Sequence, residues 1–110
     1  MKRWGLADVA GDSMTPTLRD REVVVVRWGA AFEVGDVVVA RRPDRPDLLI
    51  IKRVVRREGS GWWIEGDNPE RSDDSRLFGL VDEASVVARV LLRWRPGRPR
   101  LIRRGSRPNC

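Results

Sequence analysis

The chain has no histidine and no tyrosine, and its one cysteine, Cys110, is the last of 110 residues. Without histidine the usual general base of hydrolases is missing, so any serine nucleophile must be activated by another group. The same absence, with a single thiol, leaves no ligand set for a zinc site. A lone cysteine closes no internal disulfide, and the fold needs no oxidising compartment. Lysine is scarce too: of 22 basic residues only Lys2 and Lys52 are lysines, which leaves 20 arginines. Arginine stays protonated and cannot serve as a base, whereas lysine can once burial lowers its pKa. No apolar run approaches the ~18–20 residues of a transmembrane helix. Met1-Lys2-Arg3-Trp4 has the charge of a secretory n-region, but no apolar h-region follows. The sequence therefore predicts no signal peptide, no membrane span, no cofactor and no metal. The expected location is the cytoplasm, with peripheral membrane contact compatible with the charge.

What is present reads as β-structure. Residues 22–28 form a β-branched run, Glu22-Val23-Val24-Val25-Val26-Arg27-Trp28, too short for a typical helix. Gly29-Ala30-Ala31-Phe32 turns the chain into Val37-Val38-Val39-Ala40. That strand is expected to end at Arg41-Arg42-Pro43-Asp44-Arg45-Pro46, because proline cannot donate to a central ladder. Residues 48–57 predict a third long strand, and Glu58-Gly59-Ser60-Gly61 predicts a hairpin into Trp62-Trp63-Ile64-Glu65. Residues 86–94 are long enough for a short helix, but their β-branched content favours a strand. A domain over 1–96 and a basic, flexible tail over 97–110 follow from the Pro, Gly and Arg repeats beyond Pro96.

The net charge of +6 invites a nucleic-acid partner. A non-catalytic basic β-domain of that kind would bind in a steeply salt-dependent way. Neither a recognition helix nor an RNA-binding signature supports it, so nucleic acid is not the expected partner.

Two short stretches carry chemistry instead. Gly11-Asp12-Ser13-Met14-Thr15-Pro16-Thr17-Leu18 puts a serine in a polar, turn-prone segment. Lys52 ends the run Leu48-Leu49-Ile50-Ile51 and precedes Arg53-Val54-Val55. Alternation along a strand puts Ile50, Lys52 and Val54 on one face, so the amine sits among aliphatic groups. Desolvation there disfavours the ammonium form, and a neutral amine beside a serine hydroxyl is a workable base. The plainer reading is a turn serine bonding local backbone and a lysine reaching out to water.

A third stretch, Gly66-Asp67-Asn68-Pro69-Glu70-Arg71-Ser72-Asp73-Asp74-Ser75-Arg76, is polar and rich in turn formers. By itself it reads as a solvated loop, with an Asp74–Arg76 pair worth little if exposed. Taken in order, Ser13-Met14-Thr15-Pro16-Thr17-Leu18, Gly35-Asp36-Val37-Val38-Val39, Ile51-Lys52-Arg53-Val54-Val55 and the stretch from Gly66 to Gly79 resemble the four boxes of the signal-peptidase superfamily of serine proteases. The likeness covers residues 8–95. It implies a mainly β, single compact signal-peptidase or LexA-like core of antiparallel strands with few or short helices. It implies a serine endopeptidase acting on a protein or peptide substrate, with Ser13 as nucleophile and Lys52 as base. Ser72 would hydrogen-bond the lysine amine, while Asp74 and Arg76 would brace the site. Asp73 and Asp74 must then point away from Lys52, since a close carboxylate recharges the amine.

The Ser13 backbone N–H is the expected oxyanion donor, with Gly11 and Met14 expected at the oxyanion and substrate-binding positions. Gly11 is a departure, because many bacterial relatives carry a hydroxyl side chain there. The missing membrane anchor is another. Within the superfamily, small size, no anchor and the wording of the first box resemble the soluble maturation protease of nickel superoxide dismutase. The precursor of that dismutase is thus one expected substrate, and exported proteins with signal peptides are the other. A self-cleaving repressor of the LexA-like kind is similar in this core, but it needs a DNA-binding domain ahead of it and only twelve residues precede Ser13. Ala10-Gly11 resembles such a repressor's cleavage dipeptide, yet it abuts the serine too closely to fold back onto it.

Overall fold

The computed structural model of the protein describes residues 3–94, together with the backbone of residues 100–101. Its strands are β1 (Trp4–Asp8), β2 (Val23–Trp28), β3 (Val37–Arg42), β4 (Arg45–Glu58), β5 (Gly61–Glu65), β6 (Val81–Asp82), β7 (Val86–Trp94) and β8 (Arg100–Leu101). They lie in the order β1-β2-β7-β3-β4-β5-β6, with β8 against β7. Each pairing is antiparallel. Among the described residues helix is confined to one turn, α1 (Ser75–Phe78), and two 3-10 turns at Pro69–Arg71 and Glu83–Ser85. The β-branched run at 86–94 is strand, as its composition predicts.

The centre of the sheet is β3, and its sequence shows why. Val37, Val38, Val39 and Ala40 are all buried. Alternation sends Val37 and Val39 into one apolar cluster with Met14, Leu18, Val24, Val26, Ala88 and Val90. Val38 and Ala40 enter a second cluster with Val54, Trp62, Ile64 and Val81. A strand covered on both faces has no use for polar alternation, which explains the unbroken run. Trp62 is core, stacked edge-on against Phe32 with ring centroids 4.9 Å apart.

β3 ends at Arg42, within the expected stretch, but β4 begins earlier than expected: Arg42 and Arg45 pair across a turn of only Pro43-Asp44. Arg42 Nε anchors the turn on Asp44 Oδ1 at 2.6 Å. Pro46 is tolerated because β5 joins β4 only from Arg53 onward, so the outer edge of β4 there has no ladder for proline to interrupt. Of the expected tail, Arg100–Leu101 forms β8 beside Leu92 and Arg93. The remaining tail residues, Cys110 among them, lie outside the described residues.

Candidate active site

The β1–β2 connection is long, but its ends are tied. Val9 N–H donates to the Glu22 carbonyl and Arg21 N–H to the Val9 carbonyl, each at 2.8 Å. Within the loop, Met14 and Leu18 are buried anchors in the first cluster. Leu18 N–H closes a helix-like turn on the Met14 carbonyl at 2.8 Å. Ser13 stands at the head of this turn. Met14, expected at a substrate-binding position, is buried in the first apolar cluster. Gly11 has a positive φ of 84°, which suits glycine, and its N–H is taken by Asp20 Oδ1 at 2.8 Å. The Ser13 backbone N–H has no hydrogen-bond partner among the described residues.

Lys52 reaches this turn from β4. It pairs with Val38 across the ladder and shares the face of the second cluster. Only 5% of it is exposed, and its Nζ donates to Ser13 Oγ at 2.8 Å. Burial pushes the Lys52 amine below its ordinary value; Asp74 and Asp73 pull it back up, and Arg42 and Arg76 offset them. The chain thus supplies an aliphatic, dehydrated seat for the amine with a single short contact to a hydroxyl. That arrangement favours a neutral base.

The third stretch is no solvated loop. Asp74 is fully buried, and its carboxylate gathers five donors. They are Gly66 N–H at 2.9 Å, Ser72 Oγ at 2.7 Å, Arg76 N–H at 3.1 Å, Arg76 Nε at 2.9 Å and Arg76 Nη2 at 2.5 Å. Burial opposes the charge, but the bonds from Arg76, Ser72 and Gly66 overcome it and hold the carboxyl down at about 2. Both oxygens of Asp74 are engaged by donors other than Lys52, although its charge still raises the amine. Next to it, Ser75 Oγ accepts the Ile64 N–H at 2.9 Å, so this segment caps the edge of β5.

Ser72 departs from expectation. The resemblance implies a bond to the lysine amine, whereas here the hydroxyl donates to Asp74. A buried carboxylate is the stronger acceptor and claims the proton. Ser72 still lies beside the site: a β-carbon built on Gly66 would overlap both Ser72 Oγ and the Ser13 carbonyl oxygen. Glycine at 66 is what lets the two segments close.

Several residues beyond the expected set complete the arrangement. Arg53 follows Lys52 and points to the opposite face, where Nε and Nη2 grip Asp67 at 3.0 and 2.9 Å. Its Nη1 donates to the Gly35 carbonyl at 2.7 Å. Asp67 also accepts from Thr17 Oγ1 at 2.6 Å. Asn68 N–H donates to the Ser13 carbonyl at 2.9 Å. The only sequence signal for these was the turn-rich Gly66-Asp67-Asn68 itself, which names no partner.

Residues 2–91 match the Peptidase S24-like family. Mitochondrial inner membrane protease subunit 1 of Xenopus tropicalis is 33% identical over 79% of this chain and 66% of its own length. Subunit 2 of Schizosaccharomyces pombe is 30% identical over 76% of this chain and 60% of its own. Mitochondrial ATP-independent inner membrane protease subunit 1a of Arabidopsis thaliana is 32% identical over 80% and 69%. The chain thus spans about two thirds of the length of these relatives.

Proposed function

The chain belongs to the Peptidase S24-like family, and from that premise we propose a serine endopeptidase that uses Ser13 as nucleophile and Lys52 as general base. The observation that carries the reading is the 2.8 Å contact between Lys52 Nζ and Ser13 Oγ at a buried amine. In the reaction, the neutral amine takes the Ser13 proton as Oγ attacks the scissile carbonyl carbon. The tetrahedral oxyanion forms against the unpartnered Ser13 N–H. Collapse expels the amine product, which takes the proton from the Lys52 ammonium and leaves an acyl-serine. Lys52 then deprotonates a water, which attacks the ester; carboxylate product leaves and Oγ regains its proton. Asp74, Arg76 and Ser72 support the site by fixing the segment that closes over it.

The fold also offers a place for a peptide. Along residues 45–52 the outer edge of β4 is paired by no described strand. That edge runs up to Lys52, so an extended chain adding there as a strand would bring a carbonyl to Ser13.

For the substrate, the signal-peptidase-like boxes favour signal-peptide-like segments of exported precursors, and the relatives are named as inner membrane proteases. None of the three is named for superoxide dismutase maturation, so the nickel superoxide dismutase precursor is the narrower alternative. The names also favour work at a membrane over plain cytoplasm. No helix among the described residues is long and apolar enough to cross one. Exposed Trp4, Leu6 and Trp94 on β1 and β7 give apolar surface for peripheral contact.

The test is cleavage of both precursors by purified protein, read by mass spectrometry, with wild type, Ser13→Ala and Lys52→Ala. Cleavage of signal-peptide-like substrates at one site, by wild type alone, is the expected result. Cleavage of the dismutase precursor alone would replace the substrate and keep the dyad. Cleavage by Ser13→Ala would overturn the mechanism.

A further inference from the structure

We infer that Asn68 is a positioning residue for the nucleophile, holding the turn of residues 12–15 in the arrangement that sets Ser13 Oγ against Lys52. The inference rests on reading Ser13 and Lys52 as the reacting pair. Asn68 makes three bonds to that turn and spreads them over three residues. Its N–H donates to the Ser13 carbonyl at 2.9 Å. Its Nδ2 donates to the Asp12 carbonyl at 3.1 Å and to Thr15 Oγ1 at 2.9 Å. Thr15 Oγ1 in turn donates to the Asp12 carbonyl at 3.0 Å, which closes a triangle around the serine.

The turn has little else to define it. Its one internal backbone bond, Thr15 N–H to the Asp12 carbonyl, is long at 3.2 Å. On its N-terminal side stands Gly11, with a positive φ and open space where a side chain would be. Met14 fixes the turn's depth in the core, and the Asn68 carboxamide ties residues on both sides of the serine to one partner.

Where Asn68 is anchored matters as much. The residue before it, Asp67, is gripped by Arg53, and Arg53 is the neighbour of Lys52 on β4. The brace on the nucleophile and the strand carrying the base are therefore one rigid assembly. Asn68 acts through Ser13 and touches neither substrate nor amine. A reacting atom misplaced by about 1 Å loses up to ~10²-fold in rate, which sets the scale of its effect.

The experiment is steady-state cleavage of a fluorogenic signal-peptide-like peptide by wild type, Ser13→Ala, Asn68→Ala, Thr15→Val, Thr15→Ser and the double variant Asn68→Ala/Thr15→Val, with a melting temperature for each. Asn68→Ala keeps the backbone bond to Ser13 and loses only the carboxamide. The expected result is a kcat about 10- to 100-fold lower at unchanged KM and near-unchanged melting temperature. Thr15→Val shows a loss of the same kind, Thr15→Ser recovers most of kcat, and the double variant is no worse than its worse parent. Full kcat in Asn68→Ala, a kcat loss that only tracks melting temperature, or losses that multiply in the double variant would remove Asn68 while leaving the dyad intact. If wild type cleaves nothing, or Ser13→Ala still cleaves, the dyad reading falls and this inference falls with it.

Discussion

Lys52 Nζ lies 2.8 Å from Ser13 Oγ although 39 residues separate them in the chain. A strand delivers one and a buried-anchor turn delivers the other, so neither depends on a flexible arm. With no histidine in the chain, this pair is where proton transfer from the serine is expected. Ser13→Ala and Lys52→Arg are each expected to lower kcat/KM by at least ~10³-fold, since arginine keeps the charge and cannot deprotonate. Peptide cleavage assays check this, and substantial turnover in Lys52→Arg would remove Lys52 as the base.

Activity should fall on the acid side. Burial lowers the Lys52 pKa, so the neutral fraction grows as pH rises through a value below the ordinary one. The profile of kcat/KM against pH is expected to climb and then level off at alkaline pH. A flat profile from about pH 6 to about pH 10 would contradict a lysine base.

The seat that lowers the Lys52 pKa also costs stability. Its folded pKa is below its unfolded value, so the unfolded chain binds the extra proton and folding is penalised at neutral and acid pH. Lys52→Met keeps the aliphatic packing without the amine. It is expected to raise the melting temperature, with the largest gain at low pH and a shrinking gain as pH rises towards the ordinary lysine value. Thermal melts of both proteins across pH measure it; a lower melting temperature for Lys52→Met at every pH would refute it.

Asp74 behaves in the opposite sense. Its pKa falls from 3.8 to about 2 on folding, so its contribution of about 2 kcal/mol is complete above pH ~4 and lost as pH falls through ~2. Asp74→Ala leaves the buried Gly66 N–H without its acceptor and is expected to cost about 1–3 kcal/mol in urea unfolding. A variant as stable as wild type at neutral pH would show that the five-donor cluster contributes nothing.

Arg53 and Asp67 form a fully buried, two-armed ion pair, with side chains 4% and 0% exposed. Removing one partner strands the other. Arg53→Met or Asp67→Asn alone is expected to cost about 3–5 kcal/mol, and the double variant less than their sum. Strict additivity in denaturant unfolding would show that the two side chains are not coupled.

The sequence points to the proposed pair because composition isolates it. A serine among turn residues and a lysine among aliphatics stand out in a chain whose other cations, Lys2 apart, are arginines. The strands are legible for the same kind of reason, through β-branched runs and glycine turns. What stays hidden is decided by direction. Nothing local says that Met14 turns inward while Ser13 turns to Lys52, or that the Ser72 proton goes to Asp74 instead of the amine. The grip of Arg53 on Asp67 spans 14 residues and two elements, and composition shows it only as two more charges. The early start of β4, with Pro46 inside it, stays hidden because the cost of a proline depends on which strand edge is paired, a property of the assembled sheet.

The most direct test of the dyad is the titration of the Lys52 amine itself. The chain contains two lysines, so lysine-selective carbon-13 labelling gives two side-chain signals. The one that vanishes in Lys52→Met belongs to Lys52. It should titrate below the ordinary ~10.4 and move when Ser13 is changed to Ala. An Lys52 signal that titrates at the ordinary value and ignores Ser13 would contradict the account at its centre.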